Sequence, residues 1–461
     1  MSDSTQDEEI QSSRFKVPDP MVIIFGVLLL SALCTHLLPS GSFERTEVDG
    51  QTRVVPGSYH AVEGHPASFF DIFLAVPEGL MAAAQYLFIV FIAGGLFKVL
   101  SDTGALENLV GTTVKKVGLE RRGVIIWITT FVFGFFGVAV GFENNIALVP
   151  IAMLVARAIG GSSLVGAGMA VGGIGVGFAL SPINPYTVGV SQQIADLPLF
   201  SGYQLRTVLV VLALSMVALY TTRAIEKYPA EEGSEEGQGL SKPVEDYHLA
   251  GQDYLVLAIF GGGLAYMLYG VFQHKWYINE IAAVFLGIAI FVGFAVRTPG
   301  DKFVQQMMDG ASSVTAGALI IGLAASIQIV LEKGMIIDTV IQGLAGTLSL
   351  FPVTLAAVFT TLVQGILNFF IPSGSGQAMV TMPILIPLGD ILGITRQTMV
   401  LAFQVGDGLT NLIVPTSGGT LAMLAMGRVS YSSWVRFCMP LMIGIYCLSW
   451  AFIVGAVQFG W

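Results

Sequence analysis

The stretch Gly406-Asp407-Gly408-Leu409-Thr410-Asn411-Leu412-Ile413-Val414-Pro415-Thr416-Ser417-Gly418-Gly419 puts an acid, an amide, three hydroxyls, four glycines and a proline into a segment apolar enough to cross a bilayer. Unpaired backbone groups are costly in hydrocarbon, so an interrupted segment of this kind survives only where it faces protein or a wet cavity. An ionisable residue at membrane depth points to a site for a solute, an ion or a proton.

The pattern occurs twice. The earlier copy is Gly173-Ile174-Gly175-Val176-Gly177-Phe178-Ala179-Leu180-Ser181-Pro182-Ile183-Asn184-Pro185-Tyr186-Thr187. A gap-free shift of 233 residues carries Pro150 and Pro182 onto Pro383 and Pro415, and Gly141, Gly160, Gly173 and Gly175 onto Gly374, Gly393, Gly406 and Gly408. Glycines and prolines shared at one register are backbone constraints that repeat. In transporters, paired Gly/Pro-interrupted hydrophobic segments in the two halves mark the substrate site.

Glu143 and Asp407 are the acids of these segments, and no Lys or Arg accompanies them. Each carboxylate needs a proton or a cation, which leaves a coupling sodium ion, a coupling proton, or an ammonium or guanidinium on the substrate. For Glu143 a scaffold role, paired with Arg157 or with backbone amides, stays open. Helix N-termini at the breaks offer free N–H groups to a carboxylate, and helix C-termini offer carbonyls to sodium.

The expected substrate contacts are Glu143, Asn144, Asn145, Ser181, Asn184, Pro185 and Thr187 from the first half. The second half adds Ser373, Gly374, Ser375, Gly376, Gln377, Asp407, Asn411, Thr416, Ser417 and Gly418. Oxygen donors for sodium are expected at Asn144, Asn184, Ser373, Thr410 and Asn411. A lone hydroxyl in a span often bonds back to its own helix, so the weight rests on the clustering.

Other chemistries find little footing. Gly172-Gly173-Ile174-Gly175-Val176-Gly177 has no preceding strand or βαβ unit, and no P-loop, HExxH or GxSxG occurs. The histidines, at 36, 60, 65, 248 and 274, stand away from both tips, so an intramembrane hydrolase around Ser375 is disfavoured. No enzyme activity and no resident cofactor are expected. A channel is disfavoured by hairpins that oppose each other, which fits alternating access.

The elements that must hold these residues follow from composition. Hydrophobic residues make up 54% and charged ones 11%, against about 25% charged in soluble domains. The fold class expected is an all-α polytopic membrane protein with about nine transmembrane helices plus two opposed re-entrant hairpins, arranged as an inverted repeat. The net charge of −10 lies largely in an N-terminal tail and in Glu226 to Asp246, and neither is a nucleic-acid surface. Cys34, Cys438 and Cys447 have no disulfide or metal spacing.

Residues 1–19 read as a disordered cytoplasmic tail. The first repeat covers 20–222, with a hairpin at 123–160 and a broken helix at 164–192. An acidic cytoplasmic linker at 223–252 and an extra transmembrane helix at 253–279 precede the second repeat, 280–461. That repeat holds a hairpin at 351–392 and a broken helix at 399–426. Interfacial helices are expected at 69–79 and 301–310. The segment after the first repeat's long span, with Lys115 and Lys116, reads as a loop. With the N-terminus cytoplasmic, Lys115, Lys116, Arg121, Arg122, Arg157, Arg223, Lys227, Arg297, Lys302 and Arg428 fall inside, and Arg45, Arg53, Lys275, Lys333 and Arg396 outside. That bias obeys the positive-inside rule.

Ser181-Pro182-Ile183-Asn184-Pro185-Tyr186-Thr187, Phe370-Ile371-Pro372-Ser373-Gly374-Ser375-Gly376-Gln377-Ala378, Asp407-Gly408-Leu409-Thr410-Asn411 and Pro415-Thr416-Ser417-Gly418 carry a resemblance. The chain looks like the YfcC-like branch of the DcuC family of C4-dicarboxylate carriers. That family sits in the ion transporter superfamily beside the aminobenzoyl-glutamate and divalent-anion/sodium symporters. The resemblance covers nearly the whole membrane portion. It implies an elevator-type secondary transporter, homodimeric, in a bacterial inner membrane, carrying C4-dicarboxylates or exchanging basic amino acids by symport or antiport. Its implied partners are a small solute and the lipid bilayer, with no nucleic acid. The sodium symporters hold sodium and carboxylate with Ser-Asn-Thr at their tips; here the tips read Glu143-Asn144-Asn145 and Ser373-Gly374-Ser375. The acid at one tip favours a substrate with a positive group, so the expectation is an amino acid or related small carboxylate, with a sodium-coupled dicarboxylate as the alternative.

Overall fold

A computed structural model describes residues 20–48, 51–230, 242, 246–274 and 276–461. The expected tail at 1–19, most of the acidic linker (231–241 and 243–245) and Lys275 lie outside the described residues. The first repeat runs through α1 (Pro20–Leu37), α2 (Phe69–Ala82), α3 (Ala84–Thr103), α4 (Ala105–Val117), α5 (Arg122–Val140) and α6 (Val149–Ala158). It continues with α7 (Ser163–Ala167), α8 (Gly173–Ala179), α9 (Val190–Ile194) and α10 (Tyr203–Lys227). The extra span is α11 (Gly251–His274). The second repeat comprises α12 (Ile278–Ala295), α13 (Gly300–Ser313), α14 (Thr315–Lys333), α15 (Ile337–Leu348), α16 (Val353–Phe370), α17 (Gly374–Leu392), α18 (Arg396–Thr410), α19 (Gly418–Met426) and α20 (Tyr431–Phe459).

Among the described residues nine helices are long and apolar enough to cross a membrane. The number matches the expectation; the membership does not. The hairpin arms α5, α16 and α17 qualify, whereas α1 and both broken spans do not. A break divides each of the two broken spans into pieces shorter than a crossing, while α1 is continuous and falls short in length alone. At 1.5 Å per residue the 18-residue α16 reaches about 27 Å.

Two further segments differ from expectation. The loop with Lys115 and Lys116 is the helix α4, and α15 is its counterpart in the second repeat. Both are amphipathic and too short to span: Ala105, Leu106, Val110, Gly111 and Val114 face the core at helical spacing. The excursion after α1 carries β1 (Gly41–Ser42) paired with β4 (His60–Ala61), and β2 (Arg45–Val48) paired with β3 (Gln51–Val54). Asp338 of α15 pins it, accepting from Phe43 N and Arg45 Nη2, each at 2.9 Å.

Packing displays the repeat. α2 lies on α14 and α13 on α3, while α1 lies on α14 and α12 on α3, so each repeat's first helices dock on the other repeat's long span. The first hairpin arm α5 packs on α8, and its counterpart α16 packs on α18. Small residues make these approaches possible, as expected where apolar burial does not drive helix association. A Cβ added at Gly408 would lie 2.4 Å from Ala179 Cα, and one at Gly175 would lie 2.2 Å from Leu412 Cδ2. The 233-residue shift carries Ala179 onto Leu412, so these are one contact made twice. The same shift relates Gly160 and Gly393, which close the hairpins with φ of +80° and +79°.

Contacts also fix the sense of the hairpins. Tyr220 donates to Phe437 O, Met216 lies against Gly444, and Arg206 lies over the Trp461 ring, so α10 and α20 are antiparallel. The first hairpin starts at Gly123 against Thr222 and ends at Gly161 against Ile225, both at the C-terminal end of α10. The second begins in α16, which runs antiparallel to α20 through Thr361–Trp450 and Gly365–Tyr446, and is followed by Thr395, which bonds Trp461 O. Each hairpin therefore enters and leaves on one side, and the two sides are opposite.

Candidate functional site

Both tips and both breaks meet inside the molecule. The first tip follows the C-terminus of α5, where Gly141 turns with φ +109°. Asn144 Nδ2 donates to Val140 O (2.9 Å) and Asn145 Nδ2 to Gly141 O (2.6 Å), so both amides hold the turn. At the second tip Ser373 caps α17, accepting from Gly376 N at 3.3 Å. The tips cross over to the opposite repeat's break. A Cβ at Gly419 would lie 3.0 Å from Glu143 Cγ, and one at Gly374 would lie 2.5 Å from Thr187 Cγ2 and 3.2 Å from Asp407 Oδ2.

A cavity of about 370 Å³ lies between the tips, lined by Gly141, Phe142, Glu143 and Asn144 on one side and Pro372, Ser373, Gly374 and Ser375 on the other. Gln85, Tyr86, Phe178, Tyr186 and Tyr277 complete the wall. A second cavity, of about 280 Å³, shares Tyr86, Glu143, Pro372 and Ser373, adds Thr416, Gly418 and Gly419, and extends along α14 to Gln328 and Glu332.

Other expected site residues serve the frame. Ser181 Oγ donates to Val138 O (3.0 Å), and Asn184 Oδ1 caps the turn after it by accepting from Tyr186 N (2.8 Å). Pro185 is exposed outside the cavity lining. Gln377 Nε2 ties the arms of its hairpin by donating to Gln364 O at 2.8 Å. Thr416 Oγ1 donates to Phe369 O (2.9 Å), Ser417 Oγ to Thr420 Oγ1 (3.4 Å), and Asn411 Nδ2 to Asp407 O (3.1 Å). Thr410 Oγ1 donates to Gly406 O and accepts from Asn368 Nδ2.

Carbonyls at the second break are taken by protein donors: Asn411 O by Thr420, Leu412 O by Trp434 and Ile413 O by Tyr431. Buried side-chain oxygens without a hydrogen-bond partner include Asp407 Oδ1 and Oδ2, Thr187 Oγ1, Asn368 Oδ1 and Gln377 Oε1, and at the first tip Asn144 Oδ1 and Asn145 Oδ1. Asp407 is fully buried. Among the described residues neither Asp407 nor Glu143 has an ion-pair partner. The expected alternative of Glu143 with Arg157 is not realised, because α6 carries Arg157 away from the tip to the hairpin's far end.

A model of the DcuC family, described as C4-dicarboxylate anaerobic carrier, matches residues 17–458. The chain belongs to the DcuC family. Among relatives, an Escherichia coli K12 protein named "Putative basic amino acid antiporter YfcC" is 31% identical over 98% of this chain and 99% of its own. An uncharacterized Haemophilus influenzae protein is 27% identical over 96% of this chain and 97% of its own. The crystal structure of the Alcanivorax borkumensis YdaH transporter aligns over 96% of this chain and 99% of that one, at 16% identity and a TM-score of 0.44. Membership in DcuC and the nine apolar helices make this chain a multi-pass membrane transport protein.

In this DcuC protein several site residues escape a reading by motif. Tyr86 and Tyr277 come from helix ends far from either repeat motif and reach the cavity only through tertiary packing. Gln364 and Asn368, four apart on the apolar α16, carry a signal that could have found them: two amides on one face of a hairpin arm. Gln404 stands within its expected broken span, outside the polar motif that begins at Gly406. Its Nε2 donates to Ser181 O at 2.7 Å, joining the second repeat's helix to the first repeat's break.

Proposed function

We propose that this protein is an ion-coupled secondary transporter that carries an amino acid, basic amino acids included, or a related small carboxylate. The observation that carries the reading is the junction of two inverted half-sites at one cavity with Glu143 in its wall, with the buried, unpartnered Asp407 behind Gly374. The substrate carboxylate would sit at the N-terminus of α17, where backbone N–H groups and the helix dipole favour an anion. Sodium or a proton would neutralise Asp407. The unpartnered oxygens of Thr187 and Asn368 fit a hard cation better than the carbonyls of Asn411, Leu412 and Ile413, which already accept hydrogen bonds. The name borne by the E. coli relative supports amino acid exchange, and the family description supports dicarboxylates. With no cationic side chain in the cavity lining and Glu143 present, a dianion is the less favoured cargo.

Transport in this reading moves the hairpins and broken helices as a block against a scaffold of α1–α3 and α12–α14. The protein would work as a homodimer in a bacterial inner membrane with its N-terminus in the cytoplasm. The test is thermal unfolding of the purified protein with amino acids and with dicarboxylates, each in sodium or in potassium, followed by counterflow in proteoliposomes. A ligand that binds only the folded state raises the midpoint by mass action. A rise with arginine or ornithine, lost in Asp407→Asn, is expected. A sodium-dependent rise with succinate that ignores Asp407→Asn would move the protein to the dicarboxylate class.

A further inference from the structure

The two carboxylates of the site stand in different surroundings. Asp407 is sealed behind Gly374, with unpartnered side-chain oxygens as its polar company. Glu143 lies in the wall of the open cavity, which it lines together with three tyrosines. Tyr86 stands in the first turn of α3, Tyr277 at the N-cap of α12, and Tyr186 just past the first break. The Tyr186 and Tyr277 rings lie 6.1 Å apart between centroids, tilted by 50°. Tyr86, Tyr277 and Glu143 line the same cavity. No Lys, Arg or His lines this cavity.

A carboxylate that shares its cavity with three tyrosine rings and no protein cation is a receptor for a soft organic cation. Each ring adds cation–π attraction that strengthens as water is excluded. A sodium ion wants six or so oxygens and gains little from ring faces, so Asp407 suits it better. We propose that Glu143, Tyr86, Tyr186 and Tyr277 form a subsite for the cationic group, ammonium or guanidinium, on the substrate's side chain, leaving Asp407 to the coupling ion. This rests on the amino acid reading above and assigns its two acids separate tasks. It also carries a mechanical consequence. Glu143 and Tyr186 belong to the block, Tyr86 and Tyr277 to the scaffold, so the bound cation bridges the two parts in this state.

The experiment compares arginine with citrulline, its neutral isostere, by calorimetric titration of the purified full chain, in wild type, Tyr277→Leu, Tyr277→Phe and Glu143→Gln. Wild type is expected to prefer arginine by at least about tenfold. Tyr277→Leu and Glu143→Gln should each remove most of that preference while citrulline binding persists, and Tyr277→Phe should keep it, since the ring remains. Citrulline binding in each variant reports an intact fold. Equal affinity of wild type for the two ligands, or an equal loss of both in Tyr277→Leu, overturns the subsite and leaves an amino acid carrier standing. Binding of succinate with no amino acid binding overturns the amino acid reading itself and the subsite with it.

Discussion

Arg206 is a full positive charge with no exposed surface and no carboxylate among the partners on it. Its Nε donates to Gln404 Oε1 at 3.0 Å, its Nη1 to Ser201 O at 3.0 Å, and its guanidinium lies 5.1 Å from the Trp461 ring centroid. Because Gln404 donates onward to Ser181 O, the arginine holds the first break from one helix away. Removing it leaves Ser201 O and Gln397 Oε1 with their donor from Gln192, but leaves Gln404 Oε1 with none. An unsatisfied buried acceptor costs about 1–3 kcal/mol, so Arg206→Met should lower thermal stability by that order. Gln404→Leu removes the orphan along with the bond, so the two changes should couple by about 0.5–3 kcal/mol in a double-mutant cycle. Strictly additive losses in the unfolding midpoints would show that the chain from Arg206 to Ser181 is not a unit. The residues of this chain also mark how far the site was legible. Glu143, Asn144 and Ser373–Ser375 stand out because acids, amides and glycines are conspicuous in an apolar run. Arg206 and Tyr277 do not, because an arginine or tyrosine near a helix end is ordinary until packing shows what it touches.

At the scale of elements, the repeated glycines make a sharper test than the repeated polar groups. Gly160 and Gly393 end their hairpins in the left-handed region, and no atom lies within 4 Å of a Cβ added at either. Only backbone strain then opposes a side chain, costing about 1–2 kcal/mol for a non-glycine residue. Gly160→Ala and Gly393→Ala should each destabilise the protein by that amount and by similar amounts, measured by chemical or thermal unfolding. If one were neutral, the two hairpin ends would not be the same structural device. Gly and Pro are the residues whose backbone constraints survive divergence, which is why a gap-free shift of 233 residues exposed hairpins and breaks together. The glycines that bracket the amphipathic α4, Gly104 and Gly118, fall under the shift on Ile337 and Phe351 and so do not repeat at α15. With an apolar stripe shorter than a bilayer crossing, α4 resembled a polar loop in an otherwise hydrophobic chain. Among the described residues the helices long and apolar enough to cross number nine, as expected, but with other members, because hydropathy responds to the length of an apolar run and not to whether the run turns back.

Over the whole molecule, the repeat separates two bodies with different packing. The long spans α3 and α14 are clasped by α1, α2, α12 and α13 in exchanged pairs, whereas hairpins and breaks are packed on one another across the pseudo-twofold axis. Their meeting surface is small-residue contact: a Cβ at Gly418 in α19 would lie 3.3 Å from Ile321 Cγ2 in α14. Cysteines at these two positions would fall near the roughly 3.5–4.5 Å Cβ separation of a disulfide. In a background with Cys34, Cys438 and Cys447 replaced, Ile321→Cys with Gly418→Cys should cross-link on mild oxidation. If transport moves the block past α14 as proposed, the block would then be held in one position, so substrate counterflow in proteoliposomes should stop and return on reduction, while ligand binding in detergent persists. Either single cysteine under the same oxidant should transport as before. A cross-linked protein that exchanges substrate at the unmodified rate would mean that α19 never leaves α14 during the cycle. Access would then have to alternate by opening the tips alone, with the cavity that runs along α14 to Gln328 and Glu332 as the route on that side.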